Sequence, residues 1–124
     1  MNEAPVVLVV DDDVGVRSAT SRALRMSGFI VMTASDGRKA LKCLRSEQVS
    51  AVVTDVLMPN QDGIEVIRDI RAAFPSLPVI VVSGGPAVYL KAARALGADA
   101  AIEKPFDTAT LAQTIHQLLK KKET

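Results

Sequence analysis

The chain has one cysteine, one histidine, one tyrosine, three phenylalanines and no tryptophan in 124 residues. A lone cysteine excludes an internal disulfide and suits a reducing compartment. Fifteen basic residues against fourteen acidic ones leave a net charge of +1, which argues against a nucleic-acid-binding surface. No apolar run approaches the ~20 residues of a membrane span, and no basic leader precedes an apolar stretch at the N-terminus. Internal repeats, linkers and low-complexity segments are also missing. A soluble cytoplasmic module without membrane contact is therefore expected. At this length residues 1–124 form one domain, with a core from about 5 to 119, burying roughly two-thirds of its unfolded surface.

Short apolar runs alternate with amphipathic ones. Pro5 to Val10 reads as a buried strand that stops at Asp11-Asp12-Asp13. Val14 to Ser27 has helical spacing, with Gly28 placed to end it. Phe29 to Ala34 is a second strand, after which Ser35 or Asp36 caps a helix with Ala40, Leu41 and Leu44 inside. Ala51 to Asp55 is the third strand, followed by loop signals at Pro59 and Asp62-Gly63 and a helix from Ile64 to Phe74 closed by Pro75. Leu77 to Ser83 is the fourth strand and Ala87 to Leu96 the fourth helix, ended by Gly97. Asp99 to Glu103 is a weak fifth strand. Asp107 then caps a last helix carrying Leu111, Ile115, Leu118 and Leu119, and Lys120 to Thr124 reads as a solvated end.

Five strand–helix units in strict alternation imply a parallel sheet with right-handed crossovers. A closed eight-unit barrel needs about twice the length. The expected fold is α/β: a flavodoxin-like, doubly wound five-stranded parallel sheet in order 2-1-3-4-5 with five helices. That order lines up the carboxyl ends of strands 1, 3, 4 and 5, where open sheets bind ligands. Asp11, Asp12, Asp13, Asp55, Ser83 and Lys104 gather there. Crowded carboxylates repel one another unless a cation joins them, and Mg²⁺ takes carboxylates, water and a phosphate oxygen. A carboxylate can attack phosphorus to give an aspartyl phosphate. A nearby ammonium and hydroxyl would then serve the phosphoryl oxygens. With Asp11, Asp12 and Asp55 ionised, Mg²⁺ and Lys104 bring the site to neutrality.

Four segments now carry a resemblance: Leu-Val-Val-Asp-Asp-Asp with Arg17 downstream, Thr-Asp-Val-Leu-Met-Pro-Asn-Gln-Asp-Gly, Val-Val-Ser-Gly, and Glu-Lys-Pro-Phe. From Val7 to Leu119 the chain resembles the receiver domain of two-component response regulators. The resemblance implies that Asp55 is the phosphoacceptor, charged by a sensor histidine kinase or a histidine phosphotransfer protein. It implies Mg²⁺ held by Asp12 directly, Asp11 mainly through water, Asp55 and the Leu57 carbonyl. Ser83 becomes the switch hydroxyl, Lys104 the phosphate-binding amine, and the Lys104–Pro105 peptide cis. Helix 4, strand 5 and helix 5 become the face for a downstream protein, an output domain or a homodimer formed on phosphorylation. No output domain is expected in this chain. In the family an aromatic three positions before the lysine takes part in the switch, and here that position is Ala101. Signalling is then expected to rely on Ser83-Gly84-Gly85-Pro86 and the helix 4 face. Leu57 and Gly85 hold the family positions that flank the phosphoryl group, and neither offers a polar side chain to guide a water.

The other candidates have plainer readings. Asp13 reads as a helix cap, Asp62-Gly63 as turn and cap chemistry, Cys43 as a packing residue, His116 as a surface or boundary residue and Tyr89 as a ring beside its helix. Three rival functions are weighed. A phosphohydrolase of the haloacid-dehalogenase type would need an acid two residues after its nucleophile, where this chain has Leu57. A flavodoxin-like flavin carrier would need donor-rich loops where this chain has three aspartates, and aromatics to stack on the flavin. A receiver-like adaptor that is never phosphorylated is the third.

Overall fold

The computed structural model describes residues 4–58 and 61–123, and for 57–58, 61–63 and 122–123 it describes the backbone alone. In chain order the elements are β1 (Val6–Val10), α1 (Val14–Met26), β2 (Ile30–Ala34), α2 (Gly37–Ser46), β3 (Ala51–Asp55), β4 (Leu57–Met58), β5 (Gln61–Asp62), α3 (Gly63–Ala73), β6 (Val79–Ser83), α4 (Ala87–Ala95), β7 (Ala100–Glu103) and α5 (Thr108–Glu123). β2, β1, β3, β6 and β7 lie side by side in that order, all parallel. These five principal strands thus run 2-1-3-4-5, as their alternation with helices implies.

Alternating side chains send each strand's apolar residues to both faces of the sheet. Leu8, Val10, Val52 and Val81 meet α2, α3 and α4 on one face, with Ile67 and Ile70 fully buried among them. Val7, Val9, Val53 and Ile80 meet α1 and α5 on the other, against Leu24, Leu111 and Ile115. Each such side chain contributes roughly 1.5–3 kcal/mol through burial. β3 and β6 are buried along their whole length, which fixes the height at which Asp55 and Ser83 emerge.

Local chemistry sets the helix ends. Asp13 Oδ1 accepts from the Val16 N–H at 3.0 Å, Asp36 Oδ1 from Lys39 at 2.8 Å and Asp107 Oδ1 from Ala109 at 2.8 Å. Each satisfies a donor left over by the first helical turn. Gly28 and Gly97, at φ +98° and +110°, turn the chain out of α1 and α4 through the left-handed region.

Two differences from the sequence reading stand out. Leu57 pairs with Asp62 and Met58 with Gln61 in a small antiparallel hairpin, where only loop was expected. Strands of two residues are too short to show an alternating pattern, and Asp62-Gly63 gives a breaker signal. The Pro59 turn itself lies outside the described residues. α5 also continues to Glu123, through lysines read as a solvated end. Lysine is a good helix former and a cation suits a helix C-terminus, so Lys120 and Lys121 are exposed and helical together.

At the far end of the sheet Arg71 ties three segments. Its guanidinium donates to the carbonyls of Gly97 at 2.6 Å, Pro75 at 2.8 Å and Leu77 at 2.9 Å, and pairs with Asp99 Oδ2 at 2.8 Å. Asp99 Oδ2 also accepts the Val79 N–H at 2.8 Å. The amino ends of β6 and β7 are thereby fixed to the end of α3.

Candidate functional site

The parallel order delivers four functional groups to one edge. Asp55 closes β3, Ser83 closes β6, Asp11 follows β1 and Lys104 follows β7. The Lys104 ammonium donates to Asp55 Oδ2 at 2.9 Å and stands 3.8 Å from Asp11 Oδ2. The Asp55 and Asp11 side chains are 12% and 6% exposed and that of Lys104 is 25% exposed. Such shielding makes the loss of one partner costly, because a charge left behind in a dry site is poorly solvated.

Burial pushes the Asp11 carboxyl above its ordinary 3.8, and the Asp55 and Asp12 charges push the same way. The Asp13 N–H, donating to Asp11 Oδ1 at 2.9 Å, and Lys104 act against that rise. Asp11 therefore sits where more positive charge would be welcome. Arg17 adds a tie that the motif alone did not reveal: its guanidinium donates to the Asp11 backbone carbonyl at 2.7 Å. The same guanidinium fixes the start of the acidic loop from one turn inside α1.

Ser83 is fully buried. Its Oγ accepts the Gly85 N–H at 3.1 Å, and its carbonyl accepts the Lys104 N–H at 2.8 Å. That second bond places the serine and the lysine side by side at the ends of neighbouring strands. The Lys104–Pro105 peptide is cis, as the resemblance implied. Ala101 faces Val81 in the β6–β7 register and is half-buried, so only a methyl group occupies the position expected of a switch ring.

Not every expected ligand joins this cluster. Asp12 is exposed, and of Leu57 the described part is backbone in β4, two residues beyond Asp55. Among the described residues no three His, Cys, Asp or Glu side chains stand together as a metal cage. The donor chemistry nevertheless fits a small hard dication. Asp11, Asp55, the adjacent Asp12 and a backbone carbonyl are all oxygen donors, and Mg²⁺ takes few protein ligands and keeps several waters.

Residues given plain readings fall away from the edge or serve as scaffold. Asp13 caps α1. His116 is exposed and stacks on Phe29, ring centroids 4.7 Å apart and planes at 28°. Cys43 is half-buried with its Sγ 3.9 Å from Met32 Sδ, and burial, helped by the Glu47 charge, pushes its thiol up, away from reactivity.

Fold and edge together define a flavodoxin-like α/β domain with a carboxylate–lysine–serine cluster at the carboxyl ends of its strands. The chain belongs to the response regulator receiver domain family, whose model matches residues 7–116. Response regulator MprA of Mycolicibacterium vanbaalenii is 40% identical over 116 residues, covering 93% of this chain and 50% of its own. Transcriptional regulatory protein PrrA of Mycobacterium tuberculosis is 40% identical over 120 residues, covering 96% and 52%. The chain thus spans about half the length of these curated relatives. Among solved structures, a CheY-like receiver domain protein from Methanospirillum hungatei superposes with a TM-score of 0.90 at 25% identity, covering 98% of both chains. Full-length FixJ from B. japonicum superposes at 0.89 with 30% identity, covering 98% of this chain and 61% of that one.

Proposed function

We propose that Asp55 accepts a phosphoryl group from a phosphohistidine on a sensor kinase or phosphotransfer protein, in an Mg²⁺-dependent step, and that the phosphorylated domain changes its protein contacts. The observation that carries this reading is the Lys104 ammonium bonded to Asp55 and standing beside Asp11 at the carboxyl edge of the sheet. An Asp55 oxygen attacks phosphorus, a P–O bond forms, the P–N bond breaks and the imidazole leaves with its electron pair. Lys104 transfers its hydrogen bond from the carboxylate to an incoming phosphoryl oxygen, and the Ser83 hydroxyl donates to another. Asp12, Asp55 and the Leu57 carbonyl, with Asp11 mainly through water, would hold Mg²⁺, which would neutralise charge at the phosphoryl group. In this reading the protein assists its own phosphorylation and dephosphorylation without turning over a separate substrate.

The phosphodonor would dock beside the acidic loop, along a groove of about 380 Å³ on α1 lined by Gly15, Ser18, Ala19, Arg22, Ala23 and Met26. Downstream contacts use α4, β7 and α5, where Val88 and Tyr89 are exposed. The test is intact mass after incubation with Mg²⁺ and acetyl phosphate. One phosphoryl group should be gained, and neither Asp55→Asn nor magnesium-free protein should gain it. No gain in protein that binds Mg²⁺ would overturn the reading and favour an adaptor that works unmodified.

A further inference from the structure

The near-neutral net charge hides a strong polarity. Residues 14–54 hold seven basic and two acidic residues, a net +5, and the rest of the chain holds eight basic and twelve acidic, a net −4. The basic part is α1, β2 and α2, and neither helix contains an acidic residue. Of the two acids, Asp36 is committed as the α2 cap and Glu47 follows that helix. Among the described residues Arg22, Arg25, Arg38, Lys39, Lys42 and Arg45 form no ion pair.

The two helices that carry these cations, α1 and α2, flank a strand edge. Among the described residues β2 pairs only with β1. Ile30 N–H donates to Pro5 and the Ala34 carbonyl accepts from Asp11, so the polar groups of Ile30 and Ala34 point into the sheet. The two-residue period of a strand then points those of Val31 and Thr33 outward. Arg25 confirms the direction, since its guanidinium reaches the Val31 carbonyl at 3.4 Å, a long and displaceable bond. From α2, on the opposite face, Lys39 reaches Ser35 at the end of the same strand. Ile30 is 51% exposed on this edge.

We propose that the β2 edge is a docking site for an acidic, extended segment of another protein, which adds to the sheet as a sixth strand. Its backbone would pair with Val31 and Thr33, and its carboxylates, alternating between the two faces, would meet Arg25 from α1 and Lys39 from α2. An apolar side chain would cover Ile30. The open backbone edge favours a peptide over other polyanions, since only a peptide repeats donors and acceptors at the spacing of a strand's own. Cations beside an edge strand can also serve only to prevent unwanted pairing, and the experiment separates the two roles.

The full chain, labelled for amide NMR, is titrated with a peptide of repeated Glu-Val-Glu, about nine to twelve residues long. A Ser-Val-Ser peptide of the same length and an oligothymidylate serve as controls. Shifts should centre on residues 29–35, and exchange at Val31 and Thr33 should slow. Binding should weaken about tenfold between roughly 50 and 300 mM salt. Thr33→Pro removes an outward N–H and keeps both the charge and the β1 ladder, and it should weaken binding about tenfold. The paired Arg25→Ser, Lys39→Ser variant should do the same with the edge intact. Equal binding of oligothymidylate with no effect of Thr33→Pro would overturn strand addition. No shift at residues 29–35 would overturn the proposal outright, and self-association of the Arg25→Ser, Lys39→Ser variant would then show a guarded edge.

Discussion

Replacing Lys104 by methionine is the sharpest perturbation of the pocket. The side chain keeps its length while two shielded carboxylates, 2.9 and 3.8 Å from the ammonium, lose that partner. Breaking a buried ion pair costs about 3–5 kcal/mol. With a quarter of the lysine side chain exposed, water recovers part of this, and about 2 kcal/mol is expected. Unfolding entropy of ~2.1 cal/mol/K per residue, over 124 residues, is about 0.26 kcal/mol/K. The expected fall in Tm without divalent ions is therefore about 8 °C. Adding Asp55→Asn to Lys104→Met should recover about half of it, since one of the two carboxylates is gone. Thermal unfolding followed by circular dichroism in EDTA reads all four corners of this cycle. A single variant within 2 °C of the parent protein (about 0.5 kcal/mol by the same conversion), or a double variant no more stable than the single, would refute the account of the pocket as an electrostatically strained site held by Lys104.

Other perturbations test the burial and bonding of single side chains. Asp11→Asn should stabilise the metal-free protein. The folded carboxyl is raised above 3.8, so its favourable contribution is present below that pH and is lost as pH rises through the raised value. The variant's Tm advantage should therefore open above pH 3.8 and then level off, and an advantage independent of pH would contradict the burial argument. Ser21→Ala should stabilise by about 1 kcal/mol in urea denaturation, because the buried Ser21 hydroxyl has no hydrogen-bond partner among the described residues and alanine favours the helix. Arg71→Met should cost about 2–3 kcal/mol, since several carbonyls and Asp99 lose a charged donor; a change under ~0.5 kcal/mol would show that water replaces it freely. On phosphorylation, amide exchange should change most across 83–98, and change confined to 55–63 would sink the idea that the α4 face carries the signal in place of an aromatic switch.

What could be read in the chain follows from how each feature is encoded. Val-Val-Leu-Val-Val before three aspartates, and Ala-Val-Val-Thr before Asp55, mark buried strands and their ends through local composition. The caps Asp13, Asp36 and Asp107 lie within three residues of the groups they satisfy, so they too were visible. Once strand order was inferred, the meeting of Asp11, Asp55, Ser83 and Lys104 followed from topology. The Arg71 clamp could not be read, because its partners at Pro75, Leu77, Gly97 and Asp99 are backbone carbonyls and one carboxylate brought in by tertiary packing. Two-residue strands at 57–58 and 61–62 carry no periodicity. The buried Ser21 looks in sequence like any polar residue of an amphipathic helix, and the Arg17 bond to a backbone carbonyl leaves no mark in residue type.

The Arg71 clamp has a consequence for how such a domain can change over time. It anchors the amino ends of β6 and β7, whereas the reactive groups stand at the carboxyl ends of the same strands. A foundation at one end leaves the other free to be rewritten. Loops after Ser83 and Lys104 can gain or lose residues without moving the strands that carry these groups. A lineage that kept the clamp could rewrite those loops repeatedly and still hold Asp11, Asp55 and Lys104 in the same arrangement.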